Sequence, residues 1–189
     1  RDEAKDAVVE IMRDKKFGKS GDSIVIEEFL TGPEVSVLSF TDGKTVVPMV
    51  SSMDHKRALD NDGGLNTGGM GAVAPNPYYT EEIAERCMKE IFLPTVNAMN
   101  AEGRTFKGCL YFGLMLTENG PKVIEYNCRF GDPETQVVLP LLKSDLLTVM
   151  RATTDGTLAE TPVEFSDKNA CCVVMASKGY PVAYEKGYE

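Results

Sequence analysis

The sequence predicts an α+β fold in which helices pack against a mostly antiparallel sheet. Two pairs of apolar strands are each separated by only a tight turn, and such hairpins pair antiparallel. A long amphipathic helix, predicted over residues 80–103, stands between the two pairs. With 189 residues, of which 42% are hydrophobic, the chain is long enough for one core or two small lobes. Strands and helices grouped in this way are typical of the α+β class.

The first fifty residues supply a helix and three strands. Residues 2–13 place their apolar side chains on one stripe, which predicts an amphipathic helix. Residues 23–30, "SIVIEEFL", predict a buried strand that ends in two glutamates. Residues 34–40 alternate as a half-buried strand, and the Asp-Gly turn at 41–44 joins them to a strand over 45–50.

The middle of the chain predicts a long irregular loop and then a helix. Residues 51–79 are rich in glycine, and a loop of this length in a compact domain is usually functional or disordered. The helix over residues 80–103 has Thr80 as its N-cap. Pro94 is expected to kink this helix or to begin a second segment of it.

The last third predicts a second hairpin and two further helices. Strands over 107–117 and 122–127 are joined by the turn "ENGP". Asp132 and Pro133 are expected to be the N-cap and first residue of a helix that ends near Pro140. A second helix over residues 144–154 and a strand over 170–177 follow.

Composition excludes several classes of function. A net charge of −9 argues against a nucleic-acid partner, and no apolar run approaches the roughly 20 residues that span a bilayer. The five cysteines form no CxxC pair, which favours a reduced, cytosolic compartment. With His55 as the only histidine, a histidine-rich metal site is excluded. Carboxylates, Lys, Arg, backbone amides and oxygen-preferring cations remain as the chemistry of the chain.

The segment "VIEYNCRFGDPETQ" carries a row of polar groups where a strand gives way to a helix. Strand alternation places Val123 and Glu125 on one face, continued by Asn127 and Arg129. Glu125 and Asn127 could bind Mg²⁺, and the guanidinium of Arg129 would then face a phosphoryl group. The alternative is a surface row satisfied by salt bridges, which the pattern alone slightly favours. Cys128 is interpreted as a small strand residue.

Two further segments could bind parts of a nucleotide or an anion. In "VIEEFLTGPE", backbone groups at the strand end could read an adenine and a carboxylate could accept from ribose hydroxyls, although a plain strand terminus explains the pattern better. In "NTGGMGA", three glycines in four residues allow successive N–H groups to converge on an anion. The neighbouring "DHKR" favours anion binding there over a flexible surface loop.

Together, "VIEEFLTGPEVSV", "DHKR", "NTGGMGA" and "VIEYNCRFGDPETQ" resemble the glycinamide ribonucleotide synthetase (phosphoribosylamine–glycine ligase) family of the ATP-grasp superfamily. The resemblance extends from about Ser23 to the end of the chain and includes "MASKGYP". It implies an ATP-grasp fold, present as a partial domain. It also implies ATP-dependent ligation of glycine to 5-phosphoribosylamine through glycyl phosphate, with ATP and Mg²⁺ or Mn²⁺ as cofactors.

The resemblance also implies roles for particular residues. The catalytic groups would be Arg129, Lys56 and Arg57, and the metal ligands would be Glu125 and Asn127. ATP would be bound by Glu27, Glu28, Leu30 and Glu34. The substrates glycine and phosphoribosylamine would contact Asp54, Asn66, Thr67, Gly68, Gly69 and Asp132. Many ATP-grasp enzymes place a further metal carboxylate on the preceding strand, where this chain has Gly113.

The resemblance predicts that this chain is the central part of a longer, cytosolic polypeptide. Residues 1–22 would end the first ATP-grasp subdomain, 23–154 form the core, 155–169 a linker and 170–189 the start of a C-terminal module. Since N- and C-terminal domains would be missing, we expect little ligase activity from these residues alone. "TDGKTVVPM" and "MASKGYP" favour an animal trifunctional protein as the parent. The alternatives are another ATP-grasp carboxylate–amine ligase and a nucleotide-binding module without catalysis.

Overall fold

The computed structural model describes residues 1–187 and divides into two compact units, Arg1–Leu30 and Thr31–Glu189. The predicted domain boundaries at residues 22, 154 and 169 stay predictions. No helix within the described residues has the length and apolar character that a bilayer span requires.

The first unit is helical at its start and irregular at its end. Helix α1 (Asp2–Val8) continues as a π-helical turn over Val9–Arg13, which confirms the helix predicted for residues 2–13. The strand predicted for residues 23–30 is wrong: these residues have no regular structure, and Val25 and Phe29 are 85% and 91% exposed. A strand needs a neighbour for its N–H and C=O groups, and no strand pairs with residues 23–30 in the described part of the chain.

The second unit contains nine strands and four α-helices in its described residues. The strands are β1 (Glu34–Thr41), β2 (Val46–Pro48), β3 (Met53–Asp54), β4 (Arg57–Leu59), β5 (Gly63–Asn66), β6 (Gly71–Ala74), β7 (Gly108–Thr117), β8 (Gly120–Asn127) and β9 (Ala170–Val173). The helices are α2 (Glu81–Cys87), α3 (Leu93–Ala101), α4 (Thr135–Val138) and α5 (Leu146–Asp155).

All strand pairings described are antiparallel, which confirms the α+β prediction. The main sheet has the order β2-β1-β7-β8, a second sheet has the order β3-β6-β9, and β4 pairs with β5 alone. Strand β1 is buried on both faces from its second residue to its last, so the prediction of a half-buried strand is wrong. Helices α2 and α3 cover one face, and α4, α5 and β6 cover part of the other.

Each face of the main sheet contributes to its own apolar core. Phe112 and Leu114 point toward the α2–α3 side, where Phe112 packs on Phe92 with ring centroids 4.1 Å apart. Leu38 and Phe40 point the other way and pack with residues of α4 and α5. At roughly 25 cal/mol for each Å² of buried apolar surface, these two cores supply most of the favourable free energy of folding. They fix the sheet on which the polar residues stand.

The helix predicted for residues 80–103 is confirmed, including its start and its division. The hydroxyl of Thr80 accepts a hydrogen bond from the N–H of Ile83 at 3.3 Å, as an N-cap does. A π-helical segment over Met88–Phe92 separates α2 from α3, and Pro94 lies in the first turn of α3. The second hairpin and the helix predicted for residues 144–154 are confirmed by β7, β8 and α5.

Two other expectations are corrected. Residues 51–79 are not irregular, because they form the four short strands β3 to β6. The helix predicted to start at Pro133 starts at Thr135. Asp132 does not cap this helix, and its side chain accepts a hydrogen bond from the side chain of Gln136. The linker predicted over residues 155–169 stays a prediction, although Leu158 within it is 1% exposed and belongs to the core. Apolar contacts of this kind are hard to foresee in a segment with little periodicity.

Candidate active site

The register of the main sheet assigns its polar side chains to one face. Residues directly opposite each other in an antiparallel pair point the same way. Ser36 lies opposite Gly113, and Gly113 lies opposite Glu125. Tyr111 lies opposite Asn127 on the same face. Glu125 and Asn127 therefore lie side by side across from the middle of β7.

A β-bulge in β8 changes the predicted alternation. Glu125 pairs with Gly113, but the next pair is Val123 with Leu114, so Ile124 is the extra residue. Because the bulge reverses the alternation, Val123 joins the apolar core on the opposite face. The prediction that Val123 and Glu125 share a face is wrong, whereas Glu125 and Asn127 do lie on the same face, as predicted.

The third member of the predicted row lies beyond the strand. Strand β8 ends at Asn127, so alternation no longer determines the direction of Arg129. The guanidinium of Arg129 is exposed and donates a hydrogen bond to the carbonyl of Phe130 at 3.0 Å. Cys128 also lies after the strand rather than in it. The row within the sheet therefore has two members, and the catalytic role of Arg129 stays a prediction.

The donor set at Glu125 and Asn127 fits Mg²⁺ only if other oxygens complete the coordination. Glu125 is exposed and Asn127 is half-buried, so both side-chain oxygens can be reached from solvent. Within residues 1–187, no three His, Cys, Asp or Glu side chains are grouped to hold a metal. Mg²⁺ commonly takes one or two protein ligands and completes its shell with water and phosphate oxygens. Glu125 and Asn127 match that requirement.

A carboxylate-rich cluster lies beside this face. Burial, together with the charge of Glu134, raises the pKa of Asp54 to about 6. The ammonium of Lys56 partly opposes that shift and lies 3.5 Å from a carboxylate oxygen of Glu34. This ion pair is partly exposed and contributes little to the stability of the fold, so an incoming anion can compete for Lys56. The structure thus brings together three predicted site residues, Glu34, Asp54 and Lys56.

The glycine loop, residues 66–69, is packed on the turn that follows β8. Gly69 has a φ of +125°, and a Cβ there would collide with the ring of Pro133 and stand 3.0 Å from Oδ1 of Asp54. This Oδ1 is buried without a hydrogen-bond partner among the described residues. Only glycine fits between these two neighbours. The segments "DHKR", "NTGGMGA" and "RFGDPE" therefore meet at Gly69, as the predicted site requires.

The backbone of this loop does not present converging free N–H groups, contrary to the anion-binding prediction. Thr67 donates to the carbonyl of Lys56 at 2.7 Å, and Met70 donates to that of His55 at 2.7 Å. Gly69 donates to the hydroxyl of Thr67 at 3.0 Å, and Gly68 donates to the hydroxyl of Tyr180 at 3.1 Å. Anion binding here requires exchange of one of these bonds.

The remaining predicted residues make other contacts or belong to the other unit. Asn66 and Arg57 pair across the β4–β5 hairpin, and the guanidinium of Arg57 donates to the carbonyl of Gly64 at 2.8 Å. The side chain of Asp132 is exposed and accepts from Gln136 at 2.6 Å. Glu27, Glu28 and Leu30 belong to the first unit, in its irregular segment. Their binding roles stay predictions.

Three buried polar residues were missed by the sequence analysis. Ser36, Tyr111 and Glu134 are 6%, 4% and 4% exposed. Ser36 Oγ lies 2.8 Å from the hydroxyl of Tyr111 and donates to a carboxylate oxygen of Glu134 at 3.3 Å. Burial, together with the charge of Glu134, raises the pKa of Tyr111 above its ordinary value. The one signal in the sequence was the position of Ser36 on the same strand face as the apolar Leu38 and Phe40.

Comparison with solved structures shows the fold. A phosphoribosylamine–glycine ligase from Thermotoga maritima superposes with a TM-score of 0.77 at 37% identity, over 85% of this chain and 40% of that one. An L-amino acid ligase from Bacillus licheniformis superposes with a TM-score of 0.53 at 19% identity, over 80% of this chain and 36% of that one. The predicted ATP-grasp fold, present in part, is confirmed.

Comparison with known sequences shows the family. The chain is 55% identical to the human trifunctional purine biosynthetic protein adenosine-3, over 100% of this chain and 19% of that protein. It is 49% identical to a phosphoribosylamine–glycine ligase from Fusobacterium nucleatum, over 99% of this chain and 44% of that protein. It therefore spans less than half the length of these relatives. The family model described as phosphoribosylglycinamide synthetase, ATP-grasp (A) domain, matches residues 1–135. This chain belongs to the phosphoribosylglycinamide synthetase family.

Proposed function

We propose that this chain is the central part of an enzyme that ligates glycine to 5-phosphoribosylamine with ATP, as a step of purine biosynthesis. The proposal is supported by the names of relatives that are about half identical to the chain over its whole length. It is also supported by the cluster that unites the DHKR, glycine-loop and GDPE segments beside Glu125 and Asn127.

The proposed reaction has two steps, and neither needs a protein nucleophile. An oxygen of the glycine carboxylate attacks the γ-phosphorus of ATP, which forms glycyl phosphate and releases ADP. The amine of phosphoribosylamine then attacks the acyl carbon, which forms the amide and releases phosphate. Phosphoryl transfer of this kind depends mainly on positioning and charge neutralisation. Arg129, Lys56 and Arg57 are proposed to supply the positive charge.

The roles proposed for individual nucleotide-binding residues come from the family resemblance. The backbone of Glu27 and Leu30 would bind adenine, with Glu28 beside them, and Glu34 would accept from the ribose hydroxyls. A divalent ion bound by Glu125 and Asn127 would neutralise phosphate charge. Asp54, residues 66–69 and Asp132 are proposed to contact glycine and the ribonucleotide.

The observation that carries the proposal is the shared face of Glu125 and Asn127. Two oxygen donors on neighbouring positions of one face, both open to solvent, can bind one ion between protein and phosphate. Had the bulge at Ile124 come after Glu125 instead of before it, these side chains would point to opposite faces. A metal-bound nucleotide could not then use both.

The test is an assay of the full-length polypeptide for phosphate release. We expect release to require ATP, Mg²⁺, glycine and phosphoribosylamine together. Glu125→Ala should lower the rate about 100-fold or more, because a metal ligand supplies several kcal/mol of charge stabilisation. Glu118→Ala, an exposed carboxylate in the turn of the same hairpin, is the matched control and should leave the rate unchanged.

Three outcomes of this assay would contradict the proposal. Full activity with another amino acid in place of glycine would indicate a different carboxylate–amine ligase. Magnesium-dependent ATP binding without any phosphate release would indicate a binding module. Unchanged ligation by Glu125→Ala would refute the metal assignment.

We also propose that N- and C-terminal domains of the same polypeptide complete the site and that the enzyme acts in the cytosol. The chain covers 44% of the Fusobacterium ligase, which leaves more than half of that protein's length for other domains. Residues 1–189 alone are therefore expected to show little or no ligase activity. Turnover by these residues at the rate of the full-length polypeptide would contradict this expectation.

A further inference from the structure

A buried carboxylate joins the turn after β8 to the central strand of the sheet. Glu134 is 4% exposed and accepts a hydrogen bond from Ser36, whose Oγ also lies 2.8 Å from the hydroxyl of Tyr111. Burying a carboxylate is energetically costly unless its hydrogen bonds and surroundings compensate. The hydrogen bond from Ser36 is one such compensation.

The network lies one strand away from the two metal-binding candidates. Ser36 is opposite Gly113, which is in turn opposite Glu125, and Tyr111 is opposite Asn127. Side chains directly opposite in an antiparallel pair have Cβ atoms roughly 5 Å apart, so the ring of Tyr111 is the lateral neighbour of Asn127. The ring is itself fixed at its hydroxyl by Ser36.

Glu134 also fixes the turn that connects β8 to α4. The side chain of Glu134 fills the space beside Gly131, where a Cβ would collide with it. Pro133, the preceding residue, packs on Gly69 of the glycine loop. The carboxylate thus holds three segments together: the start of β1, the turn after Asn127 and, through Pro133, the glycine loop.

We propose that Glu134, acting through Ser36 and Tyr111, is a positioning residue that holds Glu125 and Asn127 in the geometry that binds the divalent ion. This inference rests on the proposed function. The carboxylate of Glu134 anchors the turn that follows Asn127 in the chain. Through Ser36 it also anchors the ring of Tyr111, which lies beside Asn127 on the neighbouring strand. Both neighbours of Asn127 are therefore fixed. Its negative charge, which already reaches Asp54 and Tyr111, also favours a cation on the same face.

The test measures Mn²⁺ binding to the full-length polypeptide by electron paramagnetic resonance, with a non-hydrolysable ATP analogue present. Loss of a residue that orients a metal ligand typically weakens metal binding by about 10-fold or more. We expect Glu134→Ala to weaken Mn²⁺ binding by that factor. Glu134→Gln keeps an oxygen that accepts from Ser36 and should recover most of the affinity. Tyr111→Phe, which loses the anchoring hydroxyl, should fall between them.

A matched control separates positioning from stability. Asp42, just beyond the other end of β1, is also a buried carboxylate and accepts from the N–H groups of Lys44, Thr45 and Leu158. Asp42→Asn should lower the unfolding midpoint while Mn²⁺ affinity stays at the wild-type value. Wild-type Mn²⁺ affinity in folded Glu134→Ala would overturn the inference.

Glu125→Ala in the same binding assay distinguishes this inference from the proposed function. If Glu125→Ala loses Mn²⁺ binding and Glu134→Ala keeps it, only the positioning role of Glu134 is refuted. If Mn²⁺ binding to the wild type does not depend on Glu125, the metal site itself is refuted, and the positioning role is refuted with it.

Discussion

Gly113 of β7 lies directly opposite Glu125 of β8, and a methyl group on Gly113 would stand 2.9 Å from the Cγ of Glu125. The stem of the Glu125 side chain therefore lies across the space that a side chain at position 113 would fill. The resemblance to ATP-grasp enzymes suggested a further metal carboxylate at this position. Here the position provides room for the neighbouring carboxylate, so the proposed coordination would depend more heavily on Glu125 and Asn127.

Gly113→Ala is expected to weaken Mn²⁺ binding to the full-length polypeptide, on the order of 10-fold, because it displaces the Glu125 side chain. The measurement is the Mn²⁺ dissociation constant with an ATP analogue present. A double-mutant cycle supplies the control, since the effect of Gly113→Ala should disappear when Glu125 is already alanine. An equal loss in both backgrounds would show that the alanine acts through general distortion of the sheet.

The sequence predicted the two hairpins of the main sheet because their signals are local. The Asp-Gly turn fixes the first hairpin: Asp42 accepts from the N–H groups of Lys44 and Thr45, and Gly43 has a φ of +90°. Thr80 capped its helix as expected because capping involves residues three positions apart. These features require no knowledge of the rest of the chain.

The parts that were not predicted depend on distant partners. The extra residue at Ile124 is visible only against β7, and it changes the face of Val123. The burial of Glu134 depends on Ser36, 98 positions away in sequence. The segment at residues 23–30 has strand composition, yet composition does not provide a pairing partner. The candidate site residues were predicted by resemblance, whereas the hydrogen-bond network beside them required the structure.

Gly69 and Gly68 are adjacent but should respond very differently to alanine. Gly69→Ala places a Cβ against Pro133 at a φ of +125°, and we expect a loss of about 2 kcal/mol in the free energy of unfolding. At Gly68 a Cβ would meet its nearest atom, the Tyr180 hydroxyl, at 3.3 Å, so Gly68→Ala should cost less than about 0.5 kcal/mol. Denaturant unfolding of the two variants measures the difference. Equal losses would contradict the close packing of Gly69 on Pro133.

Asp54 should make the unfolding temperature depend on pH. Its pKa is raised to about 6 in the folded chain, first by burial and then by Glu134, and Lys56 only partly opposes this. A carboxyl group whose pKa is raised by folding makes its full contribution to the stability of the folded state below its unfolded pKa of about 3.9. That contribution to stability is lost as the pH rises through 6. Asp54→Asn does not titrate. Its unfolding temperature relative to the wild type should therefore be higher at pH 7.5 than at pH 4.5.

The size of this effect should be about 1 kcal/mol or less, because solvent still screens the half-buried carboxyl. Glu134→Gln provides the control background. This substitution removes the charge that helps to raise the pKa of Asp54 and leaves the effect of burial. In this background, the relative unfolding temperature of Asp54→Asn should therefore change less between pH 4.5 and pH 7.5. Parallel pH profiles for Asp54→Asn and the wild type would contradict the raised pKa.

Tyr180 should protect the glycine loop from solvent exchange. Its hydroxyl accepts from the N–H of Gly68 at 3.1 Å, and its ring packs edge-on against Tyr184 with centroids 5.2 Å apart. Tyr180→Phe keeps the ring and removes the acceptor, which costs about 1 kcal/mol and corresponds to roughly fivefold faster amide exchange at Gly68. Hydrogen–deuterium exchange of the peptide covering residues 66–70 measures this change. Tyr184→Phe keeps the bond to Gly68 and should exchange as the wild type does. Equal exchange rates in the two variants would show that the hydrogen bond to the Tyr180 hydroxyl does not protect the N–H of Gly68.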